Sequence, residues 1–498
     1  MGNQESIEDY LMKICQKRYL HFDFPILKSE QKRLIDNISE EVKYHRYLPF
    51  IRTDIVFRKY SSGENKGIHN KVRRLTLPSH HDALVYQCFC YQLSKRYEER
   101  VENTSVDNSA VAYRSNKHIS NINVAKEVVD FITNYGECWI IKGDFKSFFD
   151  TLDHNVLADN LYSLLGDEYN SSYKKMLFAL TKYRYVTRKT LEKQLKCAGI
   201  KECYRRKNGR AYVKNLKQLG DLIKNNQIRF SSPNKKGIPQ GTAVSAVLAN
   251  IYMYKFDEWL AGIVEQRNGI YRRYSDDFIV VIPTSKENSE SIYKLKKDII
   301  GYCQNKICLT IESHKTKILF YSKDQKQIYR FDGDKYSPYS LIYLGFNFDG
   351  TSVSLKTGSI YKFVYRSKRS INRYISFINT RERYLKSKGP SHYVVKYTDS
   401  GVKAPRLANN TEMYRKRKFY KSAGNLDTNR VCTYHKNMVK RFLATKNIKP
   451  RSSMMSYAKK AQHIFEYQAH GKYRVVIYRQ VMRQVLRNQD RLGKYLHK

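Results

Sequence analysis

The sequence lacks any run of about 18 apolar residues, so no segment can span a bilayer as a helix, and no cationic stretch leads into an apolar signal core. A soluble, cytoplasmic chain with no membrane partner is therefore expected. Its nine cysteines show no C-x-x-C spacing and are odd in number, which leaves neither a disulfide framework nor a zinc site and points to incidental reduced thiols. Acidic residues are scarce. Against 46 Asp and Glu stand 92 Lys and Arg, a formal net charge of +46. A chain so charged repels itself unless a polyanion neutralises it, and nucleic acid is the commonest such partner.

What is present supports a folded protein. Apolar residues make up 41% of the 498 positions, enough for real cores, and the length predicts two or three domains. Forty-two tyrosines, many beside a cation as in Tyr361-Lys362 and Tyr414-Arg415-Lys416, suit a surface that meets phosphates and stacks bases.

Along the chain, residues 7–58 read as helical, with an irregular or extended stretch around 47–58. A basic strand, Lys71 to Leu77, stops at Pro78, and a helix begins after Ser79 with Leu84, Val85, Cys88 and Tyr91 on one face. The apolar strand Cys138 to Asp144 leads into aromatics and a helix near 154–165. Residues 167–232 are charged and weakly patterned, an insertion or a helical subdomain. From Gly237 a loop opens a long helix, and residues 271–282 read as strand, turn, strand with Ser275-Asp276-Asp277 at the turn. A helix near 287–304, a strand near 307–312 and a hairpin at 341–356 complete an α+β unit. Beyond about 350 the composition changes: residues 356–498 hold 35 Lys or Arg and only 6 Asp or Glu, mostly in helical patterns such as Val475, Tyr478, Met482 and Val485. The expected division is 1–140, 141–350, 351–430 and 431–498.

Phosphoryl transfer onto a hydroxyl needs two divalent cations about 3.5–4 Å apart, held by hard oxygen ligands. Asp276 and Asp277 at a hairpin tip can both reach such a cluster, and Asp144 ends a strand that can run beside that hairpin. An Asp-Asp pair alone more often caps a helix or fills a turn. Phe148 reads as a core residue, and Asp150, Asp153 and His154 as a helix-capping cluster.

The series Asp144-Phe145-Lys146-Ser147-Phe148-Phe149-Asp150, Gly237-Ile238-Pro239-Gln240-Gly241-Thr242-Ala243-Val244-Ser245 and Tyr274-Ser275-Asp276-Asp277 resembles motifs A, B and C of reverse transcriptases, in order and at suitable spacing. Arg73-Arg74-Leu75-Thr76-Leu77-Pro78, Tyr113-Arg114-Ser115-Asn116-Lys117 and Tyr343-Leu344-Gly345-Phe346 resemble flanking motifs, so the likeness covers roughly residues 40–350. It implies a right-hand polymerase: N-terminal helices and fingers over 1–140, a palm over 141–350, a thumb over 351–430 and a basic helical extension over 431–498. It implies two Mg2+ ions, with Mn2+ as a substitute, held by Asp144, Asp276, Asp277 and the Phe145 carbonyl. Phe149 becomes a steric gate against the 2′-hydroxyl, Gln240 and Gly241 line the nascent base pair, Arg73 and Lys66 meet the triphosphate, and Lys315 or Lys317 is the lysine that follows motif C.

The implied partners are an RNA template, deoxynucleotides and the DNA product. Motifs of retron enzymes, a zinc-bearing endonuclease segment and an RNase H domain are missing, and what remains resembles the antiviral, abortive-infection reverse transcriptases of bacteria, which work with a structured non-coding RNA. The alternatives are an intron-type reverse transcriptase or maturase, an RNA-dependent RNA polymerase, and an idle RNA-binding protein. The primer, a tyrosine hydroxyl included, and self-association of the chain stay open.

Overall fold

Local signals set many of the element ends. Ser79 follows the strand-ending Pro78 and its side chain accepts from Asp82 N–H at 3.0 Å, which starts the helix His80–Val101. Asp153 accepts from the N–H groups of Asn155 and Val156 and starts His154–Leu165. The computed structural model describes residues 6–14, 17–61, 67–114, 116–284, 288–312, 316–333, 335–388, short stretches between 393 and 443, and 453–496. They fall into two compact units, one formed by 1–119 with 138–318, the other by 120–137 with 319–498.

In the first unit, short helices Ile7–Lys13, Lys28–Asp36 and Ile38–Tyr44 precede a long antiparallel hairpin, Phe50–Ser61 with Gly67–Leu77. The extended stretch expected around 47–58 is the first strand of this hairpin, and the helices expected before it end at Tyr44. The strand Phe-Ile-Arg-Thr-Asp-Ile-Val-Phe has no clean alternation, because Ile55, Val56 and Phe57 are all exposed and neither face is fully buried there. Residues 167–232 form three helices, Ser171–Thr181, Arg188–Cys197 and Leu216–Lys224, a small antiparallel hairpin, Tyr204–Arg206 with Gly209–Ala211, and a short strand, Tyr185–Thr187, that pairs in parallel with Phe50–Arg52. Val186, Leu191, Leu195, Leu219 and Leu222 share one apolar cluster with Phe22 and Ile51, so this region is built on the same core as the hairpin base.

The centre of the unit is an antiparallel set in which Cys138–Asp144 pairs with Asp277–Pro283, and that strand with Ile270–Tyr274. Phe278, Ile279, Val280, Val281 and Ile282 are all fully buried, as expected for a strand covered on both faces. The helix Val244–Glu265 runs through the core and buries Val247, Leu248, Ile251, Tyr252 and Phe256. The strand expected near 307–312 is instead an extended segment with a single bridge, Phe145 to Ile311. Ile307, Leu309 and Ile311 alternate inward as strand residues do, but Lys146 N–H donates to Thr310 O and Glu312 N–H to Asp144 O without a continuous ladder.

In the second unit, three short antiparallel strands, Leu341–Tyr343, Phe346–Phe348 and Ser352–Leu355, occupy the place of the expected hairpin, and Ser352 and Val353 pair in parallel with Arg474 and Val475. The helix Asn121–Tyr135 packs against Met454–Glu466, and Thr357–Lys388 against Ile477–Leu496. Val475 is therefore a strand residue, and the buried stripe of the last helix is Ile477, Val481, Val485 and Asn488, with Tyr478 and Met482 on its half-buried flank. Among the described residues no helix is long and apolar enough to cross a membrane.

Candidate active site

Asp144 is the last residue of its strand and lies directly opposite Asp277, the first residue of the next. Cross-strand partners put their side chains on the same face, so the two carboxylates stand side by side. Ser275 and Asp276 form the two-residue turn between Tyr274 and Asp277, and Ser275 takes the left-handed conformation at φ 61°. Phe145 N–H donates to Asp276 O at 3.1 Å, which fastens the turn to the end of the Asp144 strand. Beneath this face, Phe278 lies over Gly143, where a Cβ would come within 2.2 Å of the ring, and Phe145, Phe256 and Phe278 form an aromatic bed with centroids 5.5–6.3 Å apart.

The site is acidic and only partly screened. Burial pushes the Asp277 carboxyl above its usual range, and the negative charges of Asp276 and Asp144 push it further in the same direction. Lys142 opposes them, with Nζ 3.6 Å from Asp277 Oδ1. Sequence reasoning does not single out Lys142, although it sits two residues before Asp144 in a strand and period-two alternation puts both on one face. The donor set is all hard oxygen, which fits a Mg2+-type cation. Among the described residues no three His, Cys, Asp or Glu side chains form a closed ligand set. Asp144 and Asp277 meet as the sequence implies, and Asp276 is their neighbour in the turn without closing a three-carboxylate cage.

A second group of residues is joined by the loop Gly237–Gly241. Gly237 N–H donates to Leu152 O at 2.7 Å, and Ile238 N–H to Phe149 O at 2.9 Å. Gly237 is at φ 78°, and a Cβ there would meet the Asp150 backbone at 2.5 Å. Gln240 O accepts from Thr76 N–H at 2.8 Å, Gln240 Nε2 donates to Asp150 Oδ1 at 3.4 Å, and a Cβ on Gly241 would lie 2.6 Å from Thr76 O. Phe149, Gln240, Gly241 and the strand that carries Arg73 are thus brought together. Phe148 is buried in the core and Phe149 is half-buried beside it, rings edge-on at 5.4 Å. The Arg73 guanidinium is exposed and lies 5.5 Å over the Phe57 ring. Lys66 and Lys315 lie outside the described residues. Lys317 opens the strand Lys317–Ser322.

Of the Tyr113-Arg114 pair, the first residue closes on the turn and the second anchors its own segment. Tyr113 Oη is 2.8 Å from Ser275 Oγ, and Arg114 is buried, forked onto Glu98 and bonded to Asp107. His154 does not reach the carboxylates; its Nε2 is 2.9 Å from Gly237 O, and Asp153 caps the helix, as the capping reading implies.

A carboxylate pair at a strand end and hairpin turn, on a frame of mixed helix and sheet, is the arrangement of the reverse-transcriptase fold. A family model described as "Reverse transcriptase (RNA-dependent DNA polymerase)" matches residues 84–348, more than half of the chain, and the chain belongs to that family. It is similar to "Protein YkfC" of Escherichia coli (strain K12), 21% identical over 282 residues that are 50% of this chain and 60% of that protein, so the chain spans about 60% of the relative's length. Among solved structures it is similar to the apo telomerase of Candida tropicalis truncated from its C-terminal domain (13% identity, TM-score 0.37, 66% of this chain and 60% of that one). Telomerase of Candida albicans, solved in complex with a fragment of telomeric RNA, is also similar, with 13% identity, TM-score 0.35, and 69% and 55% covered.

Proposed function

We propose that this chain is an RNA-directed DNA polymerase that extends a primer 3′-hydroxyl with deoxynucleotides on an RNA template. The observation that carries the reading is the cross-strand pair Asp144–Asp277 with Asp276 in the adjoining turn. Asp144, Asp276, Asp277 and the Phe145 carbonyl would hold two Mg2+ ions, or Mn2+, whose chemistry is to activate the attacking oxygen and steady the leaving pyrophosphate. Phe149 bars a 2′-hydroxyl, Gln240 and Gly241 border the nascent base pair, and Arg73, with Lys66, grips the triphosphate through charge-assisted hydrogen bonds. Lys317 is the lysine assigned to follow motif C. We assign fingers to 1–140, palm to 141–350, thumb to 351–430 and a basic extension to 431–498.

The surplus of cations beyond residue 356 supports a structured RNA as the standing partner, and the resemblance to antiviral enzymes supports a cytoplasmic role in phage defence with such a non-coding RNA. Asp276→Ala with Asp277→Ala is expected to abolish primer extension while RNA affinity stays near wild type, because the cationic surface is untouched; wild-type extension by that variant ends the assignment. Phe149→Ala is expected to admit ribonucleotides, measured as the ratio of kcat/KM for the two sugars. Equal use of both sugars by the unaltered protein would remove the gate. Sequencing the nucleic acid that co-purifies with the chain identifies the RNA partner.

A further inference from the structure

The bulkiest of the fully buried side chains carries a permanent charge. Arg273, on the strand that leads into the turn, is 1% exposed, and Asp257, on the helix Val244–Glu265, is fully buried. Nε and Nη2 of the guanidinium donate to the two oxygens of Asp257 at 2.8 and 2.6 Å, and Tyr271 Oη donates to the same carboxylate at 2.7 Å. Nη2 also donates to Asn250 Oδ1 at 3.2 Å. Nη1 reaches forward two residues and donates to the carbonyl of Ser275 at 3.2 Å.

A buried ion pair is a poor source of stability, since desolvating both charges offsets most of their attraction, and well-packed apolar side chains of similar volume serve a core as well or better. No apolar side chain, however, can donate to the Ser275 carbonyl. Ser275 needs holding, because a residue with a Cβ is strained at its φ of 61°. Its side chain is held too, by Tyr113 Oη at 2.8 Å, and Tyr113 itself sits at φ 66°. The segment that presents Tyr113 is anchored to the same network: Val111 N–H donates to Arg273 O at 3.1 Å, and Asn250 Nδ2 donates to Ala112 O at 2.9 Å. One guanidinium, one amide and one phenol thus join a helix, a strand and a loop around the residue that precedes Asp276.

We propose that Arg273, Asp257, Asn250 and Tyr113 are positioning residues that hold Ser275 left-handed and so fix the directions in which Asp276 and Asp277 offer their carboxylates to a divalent cation. The proposal rests on the assignment of those carboxylates as the cation site. None of the four is placed against a reacting atom. They act through the turn backbone, whose Asp276 carbonyl accepts from Phe145 and keeps Asp144 opposite Asp277. The planar fork of arginine is what lets one group face Asp257, Asn250 and Ser275 together, which a lysine ammonium on a flexible stem does not reproduce.

Mn2+ binding to the purified full chain, read from the free-ion EPR signal, tests this without relying on turnover; Tm is recorded beside it. The triple variant Arg273→Met, Asp257→Leu, Tyr271→Phe leaves no buried ion, so Tm is expected near or above wild type, whereas the Mn2+ half-saturation point is expected to rise by about 10-fold or more, since several hydrogen bonds to the turn network go at once. Tyr113→Phe removes one hydroxyl at a half-exposed position and decides the matter alone if the triple variant does not fold. It is expected to raise half-saturation by about 3- to 10-fold, the size of one lost hydrogen bond, and to lower kcat with little change in KM for the deoxynucleotide. A variant that folds and binds Mn2+ as wild type does, or that loses Tm alone, overturns the proposal. Asp277→Asn separates the two claims: unchanged Mn2+ binding there refutes the carboxylate assignment itself.

Discussion

At the scale of single residues, the titratable groups far from the carboxylates also have consequences. His21 is wholly buried, its Nε2 lies 3.2 Å from Leu77 O, and burial pulls its imidazole down to about 4. In the unfolded chain it protonates near 6.5, so between pH 6.5 and about 4 the unfolded state binds the extra proton and stability falls with pH. His81 works in the opposite direction, because its hydrogen bond to Asp23 raises it and its contribution is lost as pH rises. His21→Gln keeps a donor for Leu77 O and cannot take the proton. Its Tm is expected to decline less than that of the wild type between pH 6.5 and 4; parallel curves by differential scanning calorimetry would refute this linkage. The placement of Asp144 at a strand end and of Asp276 and Asp277 at a hairpin turn was legible in the sequence, from the apolar runs that flank them. Arg273 and Asp257 were not, since a charged pair 16 positions apart gives no local sign that both ends are buried.

At the scale of elements, the helix Ile477–Leu496 shows how much and how little a pattern says. Its helical period was readable, but its phase was not: the register of Val475 is taken by the parallel pairing with Val353, which turns the helix so that Ile477, Val481 and Val485 face inward. The opposite face then carries Arg479, Arg483 and Arg487, four residues apart and all exposed. Like charges at that spacing repel across each turn, by about 0.2–0.5 kcal/mol per pair, and their rise of about 6 Å per step suits successive phosphates of a nucleic-acid backbone. Replacing all three with Gln is expected to reduce the salt dependence of RNA affinity, as a slope of log K against log salt, by roughly two to three. On Thr357–Lys388, Tyr361 and Tyr365 are 70% and 63% exposed. Their replacement by Ala is expected to weaken binding by about 1–3 kcal/mol for each base that stacks there, with the slope unchanged. Filter binding across a salt series separates the two effects, and a common change in slope would refute the division of labour.

At the scale of the whole molecule, the charge of residues 356–498 cannot be removed by truncation without cost to the second unit. Phe465, Ile477, Val481 and Val485 are fully buried, and Phe346 packs on Tyr457 and Phe465 at 6.2 and 4.9 Å. Deleting 477–496 is therefore expected to abolish the cooperative unfolding of that unit in calorimetry, and not merely to flatten a salt curve. A truncated chain with an unchanged unfolding profile would show that the last helix is dispensable. The sequence concealed this, because a boundary near 350 follows from composition, whereas packing joins residues 120–137 to the far end of the chain.

That joining also has a consequence during synthesis on the ribosome. The helix Asn121–Tyr135 leaves the exit tunnel with Ile122, Val124, Ala125, Val128, Val129 and Ile132 ready to be covered, yet its partner Met454–Glu466 is made about 330 residues later. At about 5–20 residues per second, the nascent chain carries that greasy stripe uncovered for roughly 15–65 s, a window in which a chaperone, or a neighbouring nascent chain, competes for it.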